Sequence, residues 1–180
     1  MAENEIPGGA ARPDAAADPQ AQAPRLSIVA QYVKDLSFEN PRAPMGMQAN
    51  ERPEIQIKVD SRGRQMEAER FEVELIINVE AKAGGEPLFV CELTYGGLFL
   101  IANVPQDAVQ PVLMIECPRL LFPFARRVIA DATRDGGFPP LMIDPIDFVA
   151  LYRRRVAEAQ AQAQAGAGNT PAGMPPAGNA

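Results

Sequence analysis

The sequence predicts an α+β domain, a four-stranded antiparallel sheet with helices packed on one face. Three observations lead there. Apolar and polar residues alternate through most of residues 25 to 103, the apolar spacing switches to three and four residues after 104, and Gly- or Pro-rich stretches separate the segments. The chain of 180 residues is 47% apolar, enough for one domain with a packed core. Residues 1 to 24 and 157 to 180 consist almost entirely of Ala, Gly, Pro, Gln and a few acids, which bury too little apolar surface to offset ordering entropy. They are expected to be disordered tails around a folded part of residues 25 to 156.

The first strand, RLSIVAQYVKDLSFENP (25 to 41), places Leu26, Ile28, Ala30 and Tyr32 at a period of two, with Val29 and Val33 on the other side. It is therefore apolar on both faces. PRAPMGMQANERP (41 to 53) has prolines and a glycine but no period, and reads as an extended connection. EIQIKVD (54 to 60) sets Ile55, Ile57 and Val59 against Glu54, Gln56 and Lys58, a half-buried strand, and SRGRQMEA (61 to 68) reads as a polar turn. RFEVELIINVEAK (70 to 82) alternates Phe71, Val73, Leu75, Ile77 and Val79 against Glu72, Glu74, Asn78 and Glu80. AGGEP (83 to 87) reverses the chain into a fourth strand, LFVCELTYGGLFLIAN (88 to 103), whose Gly96-Gly97 pair marks a bulge or a close backbone approach.

After residue 104 the period becomes helical. Asp107 is placed to cap a short helix carrying Val112, Leu113 and Ile115, interrupted at Pro118. A second helix, starting near Arg119 so that Pro123 falls in or just past its first turn, aligns Leu121, Phe124, Ala125, Val128, Ile129 and Ala132, and ends at Gly136-Gly137. GFPPLMIDP (137 to 145) is an extended connector. Asp144-Pro145 is the expected start of a last helix with Ile146, Val149, Tyr152 and Val156 on one face, and arginines 153 to 155 near its end complement the helix dipole.

The absence of histidine removes Ser-His-Asp and Cys-His catalysis, an imidazole base and histidine metal ligands; there is no phosphate-binding glycine motif and no CxxC pair for zinc. No catalytic residue, cofactor or metal is indicated, and the chain reads as a non-enzyme. A net charge of −6 disfavours nucleic acid and suits a basic partner. With no signal sequence and no apolar run near the roughly 20 residues that span a bilayer, a cytoplasmic protein without membrane insertion is expected, its Cys91 and Cys117 reduced and buried.

Helices can cover only one sheet face, yet the first and fourth strands are apolar on both. Self-association would cover that surplus, and so would apolar polypeptide bound in an open groove near Phe38, Met45 and Met47. A further reading is a non-enzymatic oligomer carrying a small hydrophobic ligand in a closed pocket.

The strings QYVKDLSFENPRAP (31 to 44), FVCELTYGGLFLIAN (89 to 103), CPRLLFPFARRVI (117 to 129) and GFPPLMIDPIDFVALY (137 to 152) resemble the SecB family of protein-export chaperones across nearly the whole folded part. The resemblance implies an ATP-independent holdase, a homotetramer built as a dimer of dimers, which binds unfolded secretory precursors in the cytoplasm and delivers them to the SecA motor. By position it implies contact with the motor's zinc-bearing tail through Asp35, Glu39, Val90 and Glu92. It further implies a precursor groove near Phe38, Met45, Met47, Ile55, Ile57 and Val59, and packing between dimers through Leu121, Phe124, Val128 and Ile129. One departure is the absence of the family's aromatic before Pro53, where this chain has Arg52.

Overall fold

The structure, a computed structural model, describes residues 23 to 44 and 52 to 167, with side chains to residue 164. Met45 and Met47 lie outside the described residues. Four strands, β1 (Arg25–Glu39), β2 (Glu54–Glu67), β3 (Arg70–Ala83) and β4 (Glu86–Ala102), precede the helices α1 (Gln106–Pro111), α2 (Cys117–Asp135) and α3 (Phe148–Ala167). The strands form one antiparallel sheet in the order β1-β4-β3-β2. β2, β3 and β4 are a meander, and β1, which precedes β2 in the chain, lies beside β4 at the other edge: the strand order of a Greek key. Both β1 and β2 are edge strands.

The alternation seen in the sequence sorts the residues between faces. Val73, Leu75, Ile77 and Val79 of β3 and Cys91, Leu93 and Phe99 of β4 are fully or almost fully buried beneath the helices. Glu72, Glu74 and Asn78, together with Val90, Glu92, Thr94 and Leu98, occupy the opposite, open face. Across the core, Cys117, Leu121, Ala125 and Ile129 of α2 recur every four residues and are completely buried. Both cysteines are free and buried, and burial pushes the Cys117 thiol up to about 12, so it stays protonated and inert.

Several elements depart from the sequence reading. β2 does not end at Asp60 in a polar turn but runs to Glu67; its second half lacks apolar alternation because Arg64 is held by the Glu72 carboxylate and the rest by the ladder to β3. The turn is only Ala68-Glu69, with Glu69 left-handed at φ 60°. α1 and α2 are not separated at Pro118. A single π turn, Val112–Glu116, joins them, the Cys117 amide donating five residues back to the Val112 carbonyl. This wider turn ends where Pro118 has no amide to give, and the helical run continues. Asp107 makes no capping hydrogen bond; Pro105 occupies that position. Pro123 is consequently deep inside the run, on its exposed side next to exposed Arg119, where the unpaired carbonyl meets water.

The whole run, Gln106–Asp135, has 30 residues and is long and apolar enough by composition to cross a bilayer, contrary to the expectation that no segment is. It packs one face on the sheet as a core helix does. α3 is capped by Asp147 and not by Asp144: the Ala150 amide donates to the Asp147 carboxylate at 2.9 Å. It continues through Ala167, into the Ala- and Gln-rich stretch read as tail, since those residue types are strong helix formers. Arginines 153 to 155 therefore lie mid-helix. Arg155 donates to the Ser61 carbonyl at 2.6 Å and pairs with Asp60, anchoring α3 to β2.

Candidate functional site

β1 positions most of the candidate residues, and two irregularities in its pairing decide where they point. Val29 and Lys34 are extra residues, each unopposed on β4. Upstream of the first, Leu26 and Ile28 face the helices; between the two, Ala30 and Tyr32 lie on the open face and Val33 on the helix side. After the second, Asp35, Ser37 and Glu39 stand opposite Thr94, Glu92 and Val90 on the open face, while Leu36 and Phe38 point to the helices. The expectation of two simple apolar faces on β1 is thus replaced by two changes of face.

This register brings Asp35, Glu39, Val90 and Glu92 together on one end of the open face. The three acids are exposed and Val90 is half-buried between them. Val90 and Glu92 also line a shallow, open depression with Gln56, Lys58, Asn78 and Glu80. The result is a carboxylate-rich surface around one apolar side chain.

Toward the middle of the open face lies a polar network that sequence reasoning missed. Glu72, with its side chain only 6% exposed, accepts hydrogen bonds from the Tyr32 hydroxyl, the Arg64 guanidinium and, at 3.1 Å, the Lys34 ammonium. Lys34 also pairs with Glu74. The Tyr32 hydroxyl foremost, then Arg64 and Lys34, outweigh desolvation and hold the Glu72 carboxyl at about 2. The Tyr32 ring crosses directly over Gly96, where a Cβ would come within 2.5 Å of it. The glycine pair therefore marks a close approach, and the irregularities in the β1–β4 pairing fall on β1 instead.

The helix side of the same end carries the expected groove residues. Phe38 is half-buried in an aromatic cluster, its ring 5.6 Å from Phe89 and 6.5 Å from Phe138. It rests on Gly136 at the end of α2, and the Asn40 amide donates to the Gly136 carbonyl at 3.2 Å. Through the register, Phe38, Cys91, Val79 and Ile57 form one row across the sheet. Ile55 and Ile57 remain exposed at the β2 edge, and Val59 is packed against the core. The structure does not bring Phe38 into contact range of Ile55 and Ile57, which lie three strands away. At about 4.8 Å per strand the row spans roughly 14 Å, a length of several extended residues.

Two of the four residues expected to pack between subunits are committed elsewhere. Leu121 and Ile129 are completely buried within the chain's own core, because the same four-residue spacing that selected them is the spacing of the core face. Phe124, 44% exposed, and half-buried Val128 lie on the outer side with exposed Leu120. Ile28, Val29, Tyr32, Val33 and Leu36 of the β1 edge are exposed as well. Arg52, in place of the family's aromatic, is exposed before β2.

A Greek-key sheet backed by a helical run with a π turn in it, with apolar strand edges and a carboxylate-rich face left open, has the make-up of a surface-binding protein. The family model for preprotein translocase subunit SecB matches residues 19 to 159. The chain belongs to the SecB family of protein-export chaperones. It is similar to the protein-export protein SecB of Agrobacterium fabrum, 57% identical over 141 residues covering 78% of this chain and 88% of that one. With SecB of Parvibaculum lavamentivorans it shares 55% identity over 139 residues, 77% of this chain and 83% of the relative. Among solved structures, a SecB-like chaperone of Mycobacterium tuberculosis in complex with a ChAD peptide from the HigA1 antitoxin superposes with a TM-score of 0.58 at 14% identity, covering 68% of this chain and 91% of that one; the likeness is one of fold.

Proposed function

We propose that this protein is an ATP-independent holdase that binds unfolded secretory precursors, keeps them competent for translocation and delivers them to the SecA motor. The observation that supports this reading is the division of labour between the sheet's two faces. Ile55, Ile57 and Val59, with Phe38 at the far end of the row, lie on the helix side, whereas Asp35, Glu39, Val90 and Glu92 gather on the open face. Apolar edge surface suits segments that a folded precursor would bury, without reading their sequence. Clustered carboxylates around Val90 suit a compact cationic partner such as the motor's zinc-bearing tail. Because the surfaces are on opposite faces, the motor can engage a loaded chaperone, and release requires no nucleotide at the chaperone.

Assembly as a dimer of dimers fits the same surfaces. The exposed β1 edge and the outer stripe of Leu120, Phe124 and Val128 are two separate apolar patches, and a tetramer covers both. Several grooves on one particle would then raise avidity by roughly 10² to 10⁴ over a single groove. The test is the refolding of a slow-folding secretory precursor diluted from denaturant without ATP. Arrest at near-stoichiometric tetramer is expected, and unaltered refolding would overturn the holdase reading. Glu92→Lys or Asp35→Lys is expected to abolish delivery and preserve arrest; loss of arrest with motor binding intact would reverse the assignment of the two surfaces.

A further inference from the structure

The carboxylate surface is built from two strands, and its composition depends on which side of β1 faces out. A one-residue change of register moves every downstream side chain to the opposite face. Without the extra residue at 34, Asp35 and Glu39 would turn toward the helices, and Phe38 would leave Phe89 and Phe138 for the open face. The bulge is therefore the element that places acids on one side and the aromatic on the other. Its position is constrained from both directions. Upstream, Tyr32 is tied to Glu72 over Gly96; downstream, Phe38 is seated on Gly136. The surplus residue must fall between them, and the one that fills it is the one whose side chain reaches back to two carboxylates of β3.

We infer that Lys34 is a positioning residue: bonded to Glu72 and Glu74, it pins the bulge and thereby fixes the face on which Asp35 and Glu39 are displayed beside Val90 and Glu92. The inference deepens the proposed function, since its meaning for delivery rests on that reading of the carboxylate surface. It also assigns Lys34 a second effect. With its ammonium drawn to Glu72 and Glu74, it is held away from the neighbouring Asp35, leaving that carboxylate unpaired among the described residues and available to a cationic partner.

The register can be read directly with a cross-strand cysteine pair, Ser37→Cys with Glu92→Cys, in the full chain under mild oxidant. These residues oppose each other in the bulged register, whereas in the slipped one residue 37 opposes Cys91. Adding Lys34→Met is expected to lower the 37–92 yield relative to the 37–91 disulfide about threefold, the size expected when a partly exposed ion pair is lost. Lys34→Arg is expected to restore it, and Glu72→Gln with Glu74→Gln to reproduce the loss should Lys34→Met fail to fold. In chains without added cysteines, Lys34→Met is expected to weaken SecA binding to a similar extent. An unchanged 37–92 yield in both charge-removing variants overturns the inference. A lowered yield with SecA binding unchanged upholds the role of Lys34 and overturns the assignment of the carboxylate surface to the motor.

Discussion

Glu72 ties both edges of the sheet to its interior, because Tyr32 and Lys34 belong to β1, Arg64 to β2 and the carboxylate itself to β3. Its ionised form is favoured by folding: the folded carboxyl titrates at about 2 against an ordinary 4.5. The stability it contributes is therefore complete above 4.5 and lost as pH falls from there through about 2. Urea midpoints of the parent are expected to drop across that window, and Glu72→Gln to flatten the drop while lowering stability at neutral pH. Gly136 makes a second residue-scale prediction. Its backbone is ordinary helix at φ −72°, but a Cβ there would lie 2.2 Å from the Phe38 ring. Gly136→Ala should displace Phe38 from its cluster and cost about 1–3 kcal/mol in a denaturation experiment.

Among the elements, α2 shows how far a sequence pattern carries. The three- and four-residue spacing correctly located the helix, but Leu121, Phe124, Val128 and Ile129 are apolar alike and only the sheet decides that the first and last face inward. The expected experimental contrast follows. Leu121→Ala should cost about 2–5 kcal/mol of subunit stability, whereas Phe124→Asp should leave the fold intact and weaken assembly, as read by sedimentation. Strand β3 was legible almost residue by residue because strict alternation reflects one buried face, whereas β4, apolar on both faces, was located by the Gly-Gly-Glu-Pro reversal before it. The second half of β2 was not legible, since charge pairs and a backbone ladder leave no hydrophobic period. The bulges of β1 escaped for a related reason: Val29 and Val33 look like members of one opposite face, and nothing local marks Lys34 as surplus. Of the candidate site, the carboxylates could be placed by resemblance, but the network that orients them depends on a partner forty residues away.

For the molecule as a whole, the two faces should respond differently to salt. Contact between exposed carboxylates and a cationic partner is screened, while burial of apolar precursor segments is not, so raising ionic strength is expected to weaken SecA binding and leave refolding arrest in place. Parallel titrations of both activities would show the divergence. The Greek-key order has its own bearing on how this protein is made. β1 is synthesised first but finds its neighbour last, for Arg25 lies opposite Ala102 and Glu39 opposite Val90. The meander of β2, β3 and β4 pairs locally and can form as it emerges, whereas β1 closes the longest loops in the sheet. Until the end of β4 has left the ribosome, the strand bearing Ile28, Val29 and Leu36 has no sheet to join. A member of a protein-export chaperone family thus passes, during its own synthesis, through a stage in which it presents an unpaired apolar strand itself.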